Sequence, residues 1–440
     1  MTSFFSFIPQ LNEFLWSGPL LILLMGTHLY FTMKLHIPQK NILKAIRLSV
    51  VPDKTSQTQN LSVFGALATT LAATLGTGNI IGVSTAVALG GPGAIFWCWI
   101  TGILGMATSY SECYLSVLFK AMGKDGQNHG GPMYIWENGL HNKAVGKCYA
   151  FLTLLAAFLV GCTTQSNSVA QTTTMSFGIS PNIAGFLAAL TAGFVIVGGI
   201  QSIGKVCMKL VPFLAVIYTF SCLVLLYLGR DAIWPAIKLI LSDALSPKAA
   251  LSGAAASSLL MTARYGIARG LFTNEAGIGT AAIAAAASDT SDPQKQAYVS
   301  MTAVFWDTVV MCLLSGLVIV VNFLKHPESL TGVNEAGLTE AAFSFLPYLG
   351  SRFLSFCLIA FAITTLIGWS YLGESAVEYL AGSKGITLYK IAYIVMIYIG
   401  AVLPLSFVWE CTDFINALMV LPNVAALFLL RRHIKAKNPL

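Results

Sequence analysis

The sequence predicts an all-α polytopic membrane protein with eleven transmembrane helices, and three observations lead to this prediction. Hydrophobic residues make up 56% of the 440 residues and charged residues only 10%, whereas soluble domains carry about 25% charged residues. Eleven apolar runs are long enough, at roughly 20 residues, to cross a bilayer. Two of these runs are interrupted by glycine pairs. The composition excludes a cytosolic enzyme, a secreted domain and a disordered protein.

The apolar runs give the predicted spans in chain order. The first run has no basic segment before it, because the first charged residue is Glu13. We therefore expect a retained span rather than a signal peptide. The eleven spans are predicted at 14–34, 60–90, 92–120, 147–175, 181–199, 204–228, 254–288, 296–324, 351–379, 387–406 and 413–431.

The placement of Lys and Arg predicts the orientation of these spans. Most of the 25 basic residues fall on one side of the membrane, with clusters at 34–54, 120–124, 143–147, 205–209 and 431–437. Loops rich in Lys and Arg face the cytoplasm. The N-terminus is therefore predicted outside and the C-terminus in the cytoplasm, as an odd number of spans also requires. We expect a bacterial or archaeal plasma (inner) membrane protein, with no nucleic-acid partner and no evident need for a protein partner.

The second and seventh spans share an unusual feature. Each contains a Gly-x-Gly sequence beside polar residues, at 76–79 and at 274–280, near the middle of the bilayer. Unpaired backbone at this depth is costly unless it faces protein or a cavity. Because each span opens a block of five, the two blocks cross the membrane in opposite senses. This pattern is typical of an inverted repeat with paired broken helices.

The same counting divides the chain into four parts. They are an N-terminal helix with a cytoplasmic segment at 1–55, a first five-helix repeat at 56–228, an extracellular amphipathic connection at 229–252, and a second repeat with a basic tail at 253–440.

Broken helices suit a small zwitterion and a cation. Backbone freed at Gly76 and Gly78 offers N–H groups to an anion and C=O groups to a cation, and a half-helix adds its positive N-terminal end. The pair Gly277 and Gly279 offers the same groups in the opposite direction. The alternative for either span alone is that its glycines only permit close helix packing. Because both interrupted spans stand first in their block of five, the pattern favours a binding site over close helix packing.

Other polar residues within the spans have two interpretations each. Gln165 could contact a substrate or could link neighbouring helices. Thr364 and Thr365 could supply hydroxyl oxygens to Na⁺, or could bond the carbonyl groups of their own helix. Trp369 lies one turn after Thr365 and could line a pocket, or could anchor the helix at the membrane interface.

Charged residues within the hydrocarbon region are costly and so point to function. Four such residues are present: Arg264, Arg269, Glu275 and Asp307. We favour the interpretation that they form structural ion pairs that brace the broken seventh span. The alternative is a proton or gating relay. Pairing with loop lysines at cytoplasmic helix ends is expected for Glu112, Glu374 and Glu378.

Enzymatic motifs are missing from the sequence. There is no HExxH, GxSxG or GxxxxGK[ST] motif, and no CxxC among the nine cysteines, so we expect neither a catalytic constellation nor a metal centre. Coupling to an ion gradient is the remaining source of energy.

Several long motifs resemble the alanine or glycine:cation symporter (sodium:alanine symporter) family of the APC superfamily. They are GTGNIIGV at 76–83, GGPGAIFW at 90–97, GMAT at 105–108, GGPMY at 130–134, ARGLFTNEAG at 268–277, GWSY at 368–371 and GE at 373–374. The family often has Lys after GMAT, where this chain has Ser109. The resemblance runs over roughly residues 14–432.

The resemblance implies a LeuT-like 5+5 inverted repeat preceded by one extra helix, and it implies co-transport of L- or D-alanine or glycine with Na⁺, or in some members H⁺. The implied substrate-binding residues are Thr77, Gly78, Asn79, Gln165, Asn274, Gly277 and Trp369. The implied Na⁺ ligands are Gly76, Asn79, Thr364 and Thr365.

The leading hypothesis is therefore a Na⁺-coupled importer of a small neutral amino acid that works by alternating access. An H⁺-coupled transporter and a transport-inactive amino-acid sensor on the same scaffold are the alternatives. The missing motifs argue against a third hypothesis, an intramembrane enzyme.

Overall fold

The structure is a computed structural model, and it describes residues 2–51, 60–123, 126–245, 256–330, 333, 335, 337–348, 350–403 and 406–436. Four of the basic residues, positions 246–252 of the predicted connection and the first two residues of the predicted seventh span lie outside this part; the basic residues are Lys54, Lys124, Lys248 and Lys437.

Helices account for nearly all of the described chain. In the first half they are α1 (Thr2–Ser17), α2 (Pro19–Lys34), α3 (Ile42–Val50), α4 (Val63–Thr74), α5 (Ile81–Gly90), α6 (Ala94–Leu118), α7 (Pro132–Tyr134), α8 (Lys143–Ala156), α9 (Thr164–Phe177), α10 (Pro181–Val197), α11 (Gly199–Leu228) and α12 (Arg230–Leu245). Short strands β1 (Ala121–Met122) and β2 (Asn128–His129) form an antiparallel hairpin after α6.

The second half continues with α13 (Ala256–Asn274), α14 (Thr280–Ala286), α15 (Pro293–Val304), α16 (Leu313–Lys325), α17 (Leu338–Phe343), α18 (Gly350–Ala381), α19 (Ser383–Val402) and α20 (Ser406–Leu429). Wider π-helical turns at Ala157–Thr163 and Phe305–Cys312 join α8 to α9 and α15 to α16, so each pair runs on as one long helix. Such turns are rare and frequently lie at functional sites.

Helices lie in all eleven predicted regions. By length and composition, seven helices in the described part could cross a membrane, or eight if α4 and α5 count as one bent span. The protein is thus a multi-pass membrane protein with an α-helical fold. The count of eleven spans, the inverted repeat and the four-part division remain predictions.

The second predicted span is interrupted, as the sequence indicates. Helix α4 ends at Thr74, Gly76 is extended, a 3-10 turn covers Thr77–Asn79, and α5 begins at Ile81. The two halves bend by 59°. The helix therefore ends inside the bundle, at polar residues and at Gly76, a glycine without a Cβ.

The seventh predicted span is also interrupted, but by a different backbone. After α13, the φ angles of Glu275, Gly277 and Gly279 are +53°, +98° and +96°. Left-handed φ angles suit glycine because it has no Cβ, and they are uncommon for other residues. The chain then resumes as α14 at Thr280.

The two broken helices lie in the centre of the fold. Helix α6 packs along α13, α14 and α15 on one side, and α18 packs against α4, α8 and α9 on the other. This arrangement places both interruptions between long helices, where they face protein instead of lipid.

Candidate functional site

A small buried cavity lies where the two interruptions meet. Its volume is about 20 Å³, room for about one water molecule. The lining comes from α4 and the turn after it, the π-helical turn and α9, α13 and the turn after it, and α18; the residues are Ala73, Thr74, Gly76, Thr77, Gly78, Val160, Gln165, Phe272, Thr273, Glu275, Thr365 and Trp369. Of the predicted substrate and Na⁺ residues, the structure brings six together here.

The first interruption is held open by Asn79. Its Oδ1 accepts a hydrogen bond from the Gly76 N–H group at 3.0 Å, and its Nδ2 donates to Asp307 Oδ1 at 2.7 Å. Asn79 is not among the cavity-lining residues. Its side chain therefore positions the backbone, and the structure does not place it against a guest in the cavity.

Thr77 and Gly78 both line the cavity, and each has a backbone N–H group. No other group accepts a hydrogen bond from either of them in the part of the chain that is described. Buried N–H groups are normally paired. This pair, close to the start of α5, can therefore bind an anionic group such as a carboxylate.

Glycine at position 78 permits close contact between the two broken helices. A Cβ atom built at Gly78 would lie 2.5 Å from Cγ2 of Thr273. Any side chain would push α13 away from the 3-10 turn. The residue thus fixes the width of the cavity.

Gln165 links the cavity to α9. Its Oε1 accepts a hydrogen bond from Thr77 Oγ1 at 3.4 Å, while Nε2 donates to the Val160 carbonyl group at 3.5 Å. Both bonds are long, so the amide can exchange them for contacts with a polar guest.

Trp369 forms one wall of the cavity. The side chain is buried, and Nε1 faces the Glu275 carboxyl group without a full hydrogen bond. A Cβ at Gly161 would overlap the Trp369 ring. Burial in the bundle centre contradicts the interfacial-anchor alternative and supports the pocket-wall interpretation.

The adjacent threonines on α18 differ in placement. Thr365 Oγ1 donates to the Leu75 carbonyl group at 3.3 Å, directly before the first interruption, and to the Phe361 carbonyl group at 3.0 Å. Thr364 Oγ1 donates to the Phe361 carbonyl group at 2.8 Å, within its own helix. Only Thr365 lines the cavity.

Glu275 is the one cavity-lining residue with a formal charge. Its Oε2 accepts a hydrogen bond from Thr280 Oγ1 at 2.5 Å, and the residue lines the cavity. Among described residues, no Lys, Arg or His forms an ion pair with it. The hydrogen bond from Thr280 therefore fixes the position of a carboxyl group that has no cationic partner in this part of the chain.

The other predicted residues of the second interruption lie away from the cavity. Asn274 Oδ1 accepts a hydrogen bond from the Ala276 N–H group at 3.0 Å and caps the turn. The N–H and C=O groups of Gly277 bond to Glu112 and Asn423 at 2.8 and 2.9 Å. Neither Asn274 nor Gly277 lines the cavity.

The structure corrects the prediction for Glu112. Instead of pairing with a loop lysine, its side chain is fully buried against the second interruption. Glu374 does pair with a lysine, but with one in α19 and not in a loop: its carboxyl group lies 3.2 Å from Lys390 Nζ. Sequence position along α6 alone could not distinguish a helix end from a contact with a broken neighbour.

Ion pairs do not brace the seventh span in the described part of the chain. Asp307 bonds to Asn79 and, at 2.6 Å, to Thr308. Arg264 and Arg269 instead lie over the rings of Tyr265 and Phe272, with guanidinium carbons 5.7 and 5.8 Å from the ring centroids. Our favoured ion-pair interpretation was wrong for these residues.

Sequence reasoning missed five lining residues. They are Ala73, Thr74, Val160, Phe272 and Thr273. Four of them immediately precede a predicted interruption, within one helical turn, which is a signal the sequence contains. Val160 belongs to a π-helical turn, which no local pattern indicated.

Phe272 also lines a second, wider space. This second cavity of about 340 Å³ lies towards the N-terminal helix and includes Phe272, Arg264, Arg269, Glu13 and Asp413 among its lining residues. The two cavities therefore share Phe272 as a wall residue.

Similarity to known proteins extends over nearly the whole chain. The profile of the sodium:alanine symporter family matches residues 1–438. The sodium/alanine symporter AgcS of Methanococcus maripaludis is 44% identical over 97% of this chain and 95% of its own length. The probable sodium/glutamine symporter GlnT of Bacillus subtilis is 35% identical over 96% and 87%, and the putative sodium/proton-dependent alanine carrier protein YrbD of the same organism is 34% identical over 97% and 90%.

One solved structure has a similar fold. It is the substrate-bound, outward-open state of a Na⁺-coupled sialic acid symporter, with a TM-score of 0.59 at 13% identity, over 92% of this chain and 85% of that chain. At this identity the similarity concerns the fold alone.

Proposed function

From the premise that the chain belongs to the sodium:alanine symporter family, a family of transporters and not of enzymes, we propose that it imports a small neutral amino acid together with Na⁺. The candidate substrates are alanine and glycine. One observation carries the proposal: residues of both broken helices line one cavity of about 20 Å³, among them Glu275 and the pair Thr77 and Gly78, whose N–H groups have no acceptor in the described part of the chain.

Charge balance explains why the cation should accompany the substrate. A zwitterionic amino acid has no net charge, so it leaves the charge of Glu275 uncompensated in a buried cavity. Uncompensated buried charges are costly. A single Na⁺ restores neutrality, and the substrate and the ion therefore stabilise each other's binding.

The groups of the cavity suit the two ends of the substrate. The carboxylate would accept hydrogen bonds from the Thr77 and Gly78 N–H groups, and the ammonium group would donate to Glu275 and Gln165. The side chain would lie against Trp369. A cavity of about 20 Å³ favours alanine or glycine over larger amino acids, because each further methylene group must displace packed side chains.

The Na⁺ site would combine carbonyl groups of the first interruption, near Gly76 and Asn79, with threonine hydroxyl groups of α18. Hard cations prefer such oxygen ligands. The contact between Thr365 and the Leu75 carbonyl group supports Thr365 over Thr364 as the ligand on α18.

Import follows from alternating access between two inverted five-helix repeats around this site. We propose eleven spans, with the N-terminus outside and the C-terminus in the cytoplasm of a bacterium or archaeon. The sodium gradient supplies the energy, since one charge entering at −100 mV contributes about 2.3 kcal/mol.

Uptake of labelled alanine and glycine into proteoliposomes tests the proposal. We expect uptake with external Na⁺, little with Li⁺ and none with choline. Equal uptake in choline would contradict sodium coupling.

The alternatives give distinct results in the same assay. Uptake that needs an inward proton gradient in choline would indicate H⁺ coupling, which the buried Glu275 carboxyl group favours as the second candidate. Alanine binding without uptake or counterflow would indicate a sensor.

A further inference from the structure

A buried polar cluster lies on the face of the second interruption that is turned away from the cavity. Glu112 of α6 is fully buried there. Its Oε1 accepts hydrogen bonds from the Gly277 N–H group at 2.8 Å and from Asn423 Nδ2 of α20 at 2.5 Å. Asn423 Nδ2 also donates to the Gly277 carbonyl group at 2.9 Å. Glu112 and Asn423 thus hold Gly277 from both sides of its peptide groups.

Two oxygen atoms of this cluster have no hydrogen-bond partner in the described part of the chain. They are Glu112 Oε2 and Asn423 Oδ1. Both are acceptors when the carboxyl group is ionised, so neither can satisfy the other. A buried polar atom without a partner costs about 1–3 kcal/mol, and more when it is charged. One bound proton would turn Oε2 into a donor and remove the buried charge.

The surroundings of Glu112 supply no positive charge to replace that proton. The titratable groups that interact with it are Tyr149 of α8, Cys113 of α6 itself and Glu275 of the interruption. His28 of α2 lies beside Gly277 and bonds through Nδ1 to Thr108 of α6 at 2.8 Å. No Lys or Arg forms an ion pair with Glu112 among described residues. Glu275 and Tyr149 can only add negative charge.

The space around Glu112 suits a proton better than a metal ion. Four cavities of the described structure have neither Glu112 nor Asn423 in their lining. No cluster of three or more His, Cys, Asp or Glu side chains able to hold a metal ion occurs in that part either. A proton needs no volume and only one acceptor.

We propose that Glu112 and Asn423 form a proton-binding site that controls the movement of the broken seventh helix. Protonated Glu112 keeps Gly277, and with it α14, packed against α6. When α14 moves away and water enters, the carboxyl group releases its proton to that water, and an incoming proton rebuilds the bond when the helices close again. This inference rests on the proposed function, because it assigns a control group to the same transport cycle.

The pH dependence of sodium-driven alanine uptake tests this site. In the wild type, we expect the rate to change by roughly threefold or more between about pH 5.5 and about pH 8.5, because proton exchange at Glu112 limits opening. The Glu112→Gln variant has the shape of the protonated acid but cannot exchange a proton, so its pH profile should be flat. The matched control is Glu374→Gln, which changes a carboxyl group that is already paired with Lys390; it should keep the wild-type profile.

The proposal is overturned if the pH profile of the wild type persists in Glu112→Gln. If Glu112→Gln keeps that profile and also needs a higher Na⁺ concentration for half-maximal uptake, Oε2 and Oδ1 belong to a metal-cation site instead. A wild type without any Na⁺-dependent uptake would contradict the proposed function instead.

Infrared difference spectroscopy tests the proton without transport. Purified wild-type protein near neutral pH should show the C=O stretch of a buried carboxylic acid, and this band should be lost in Glu112→Gln. If that variant does not fold, Asn423→Leu serves instead: it keeps Glu112 but removes the partner oxygen, and should shift the band. Unchanged bands in a folded variant would overturn the proposal whatever the transport result.

Discussion

The two interrupted helices share a Gly-x-Gly sequence but use it in different ways. At the first interruption, Gly76, Thr77 and Gly78 line the cavity, and the N–H groups of Thr77 and Gly78 have no acceptor in the described part of the chain. At the second, Gly277 has a left-handed backbone that is bonded to Glu112 and Asn423, and Glu275 lines the cavity. The first region therefore contributes free backbone groups to the cavity lining, whereas the second contributes a carboxyl-bearing residue on a braced backbone. Two segments with the same Gly-x-Gly pattern can thus have different structural roles.

Gly78→Leu tests the backbone-presenting role and should have the largest effect. The new side chain would start 2.5 Å from Thr273 Cγ2 and fill a cavity of about 20 Å³, so we expect alanine uptake to fall below detection. The control is Gly26→Leu, because Gly26 has no neighbouring atom within 4 Å of a built Cβ. Both proteins should insert and purify alike. Wild-type uptake by Gly78→Leu would refute the cavity as the binding site.

Glu275→Gln tests the side-chain-presenting role. Loss of a charge-assisted hydrogen bond to the ammonium group should raise the alanine concentration for half-maximal uptake roughly 10- to 100-fold. The variant should also weaken the mutual dependence of Na⁺ and alanine binding, because the cavity no longer needs a compensating charge. Binding measured by thermal shift with and without Na⁺ checks both effects. Unaltered affinity would place the ammonium group elsewhere.

Gly277→Ala against Gly76→Ala compares the two backbones directly. At Gly277 the φ angle of +98° is left-handed, and a Cβ would overlap Leu24; the left-handed conformation alone costs about 1–2 kcal/mol. Gly277→Ala should therefore lower the melting temperature in detergent. Gly76 is extended, and its Cβ would lie 2.8 Å from the Thr365 hydroxyl group and 3.7 Å from Gln165 Oε1, so Gly76→Ala should mainly weaken the Na⁺ response.

Gly82→Ala is the control for both glycine variants, because its Cβ would contact only Arg269 at 3.9 Å. It should leave the melting temperature and the Na⁺ response close to those of the wild type. Equal losses of stability in Gly76→Ala and Gly277→Ala would remove the distinction between the two interruptions.

Thr365→Ala against Thr364→Ala should give the smallest effect. Removing one neutral oxygen ligand should raise the Na⁺ concentration for half-maximal uptake about 3- to 10-fold. Thr364→Ala removes a hydroxyl group that bonds within its own helix, so this variant should change the Na⁺ concentration for half-maximal uptake little. A larger increase of this Na⁺ concentration in Thr364→Ala than in Thr365→Ala would indicate that Thr364, and not Thr365, is the Na⁺ ligand on α18.

Sequence reasoning located the interruptions and part of the cavity. Gly76, Thr77, Gly78, Gln165, Thr365 and Trp369 were predicted and come together, because glycine pairs and polar residues in apolar runs are local signals of broken helices. Asn274 and Gly277 were predicted to face the substrate but are not among the residues that line the cavity, and their groups bond within the turn or to Glu112 and Asn423. The sequence locates a break along a helix, but it does not fix the direction in which each residue of an irregular turn points.

The amino-acid sequence by itself determined that this is a multi-pass helical membrane protein with two broken helices, because hydrophobic content and the positions of glycines act locally along the chain. Tertiary structure alone decided which groups meet: Glu112 bonds to Gly277 from 165 positions away and Asn423 from 146. Such pairings depend on how α6, α13 and α20 pack, and that packing is set by the whole bundle rather than by any local segment. The cavity has one charged wall and one backbone wall for the same reason.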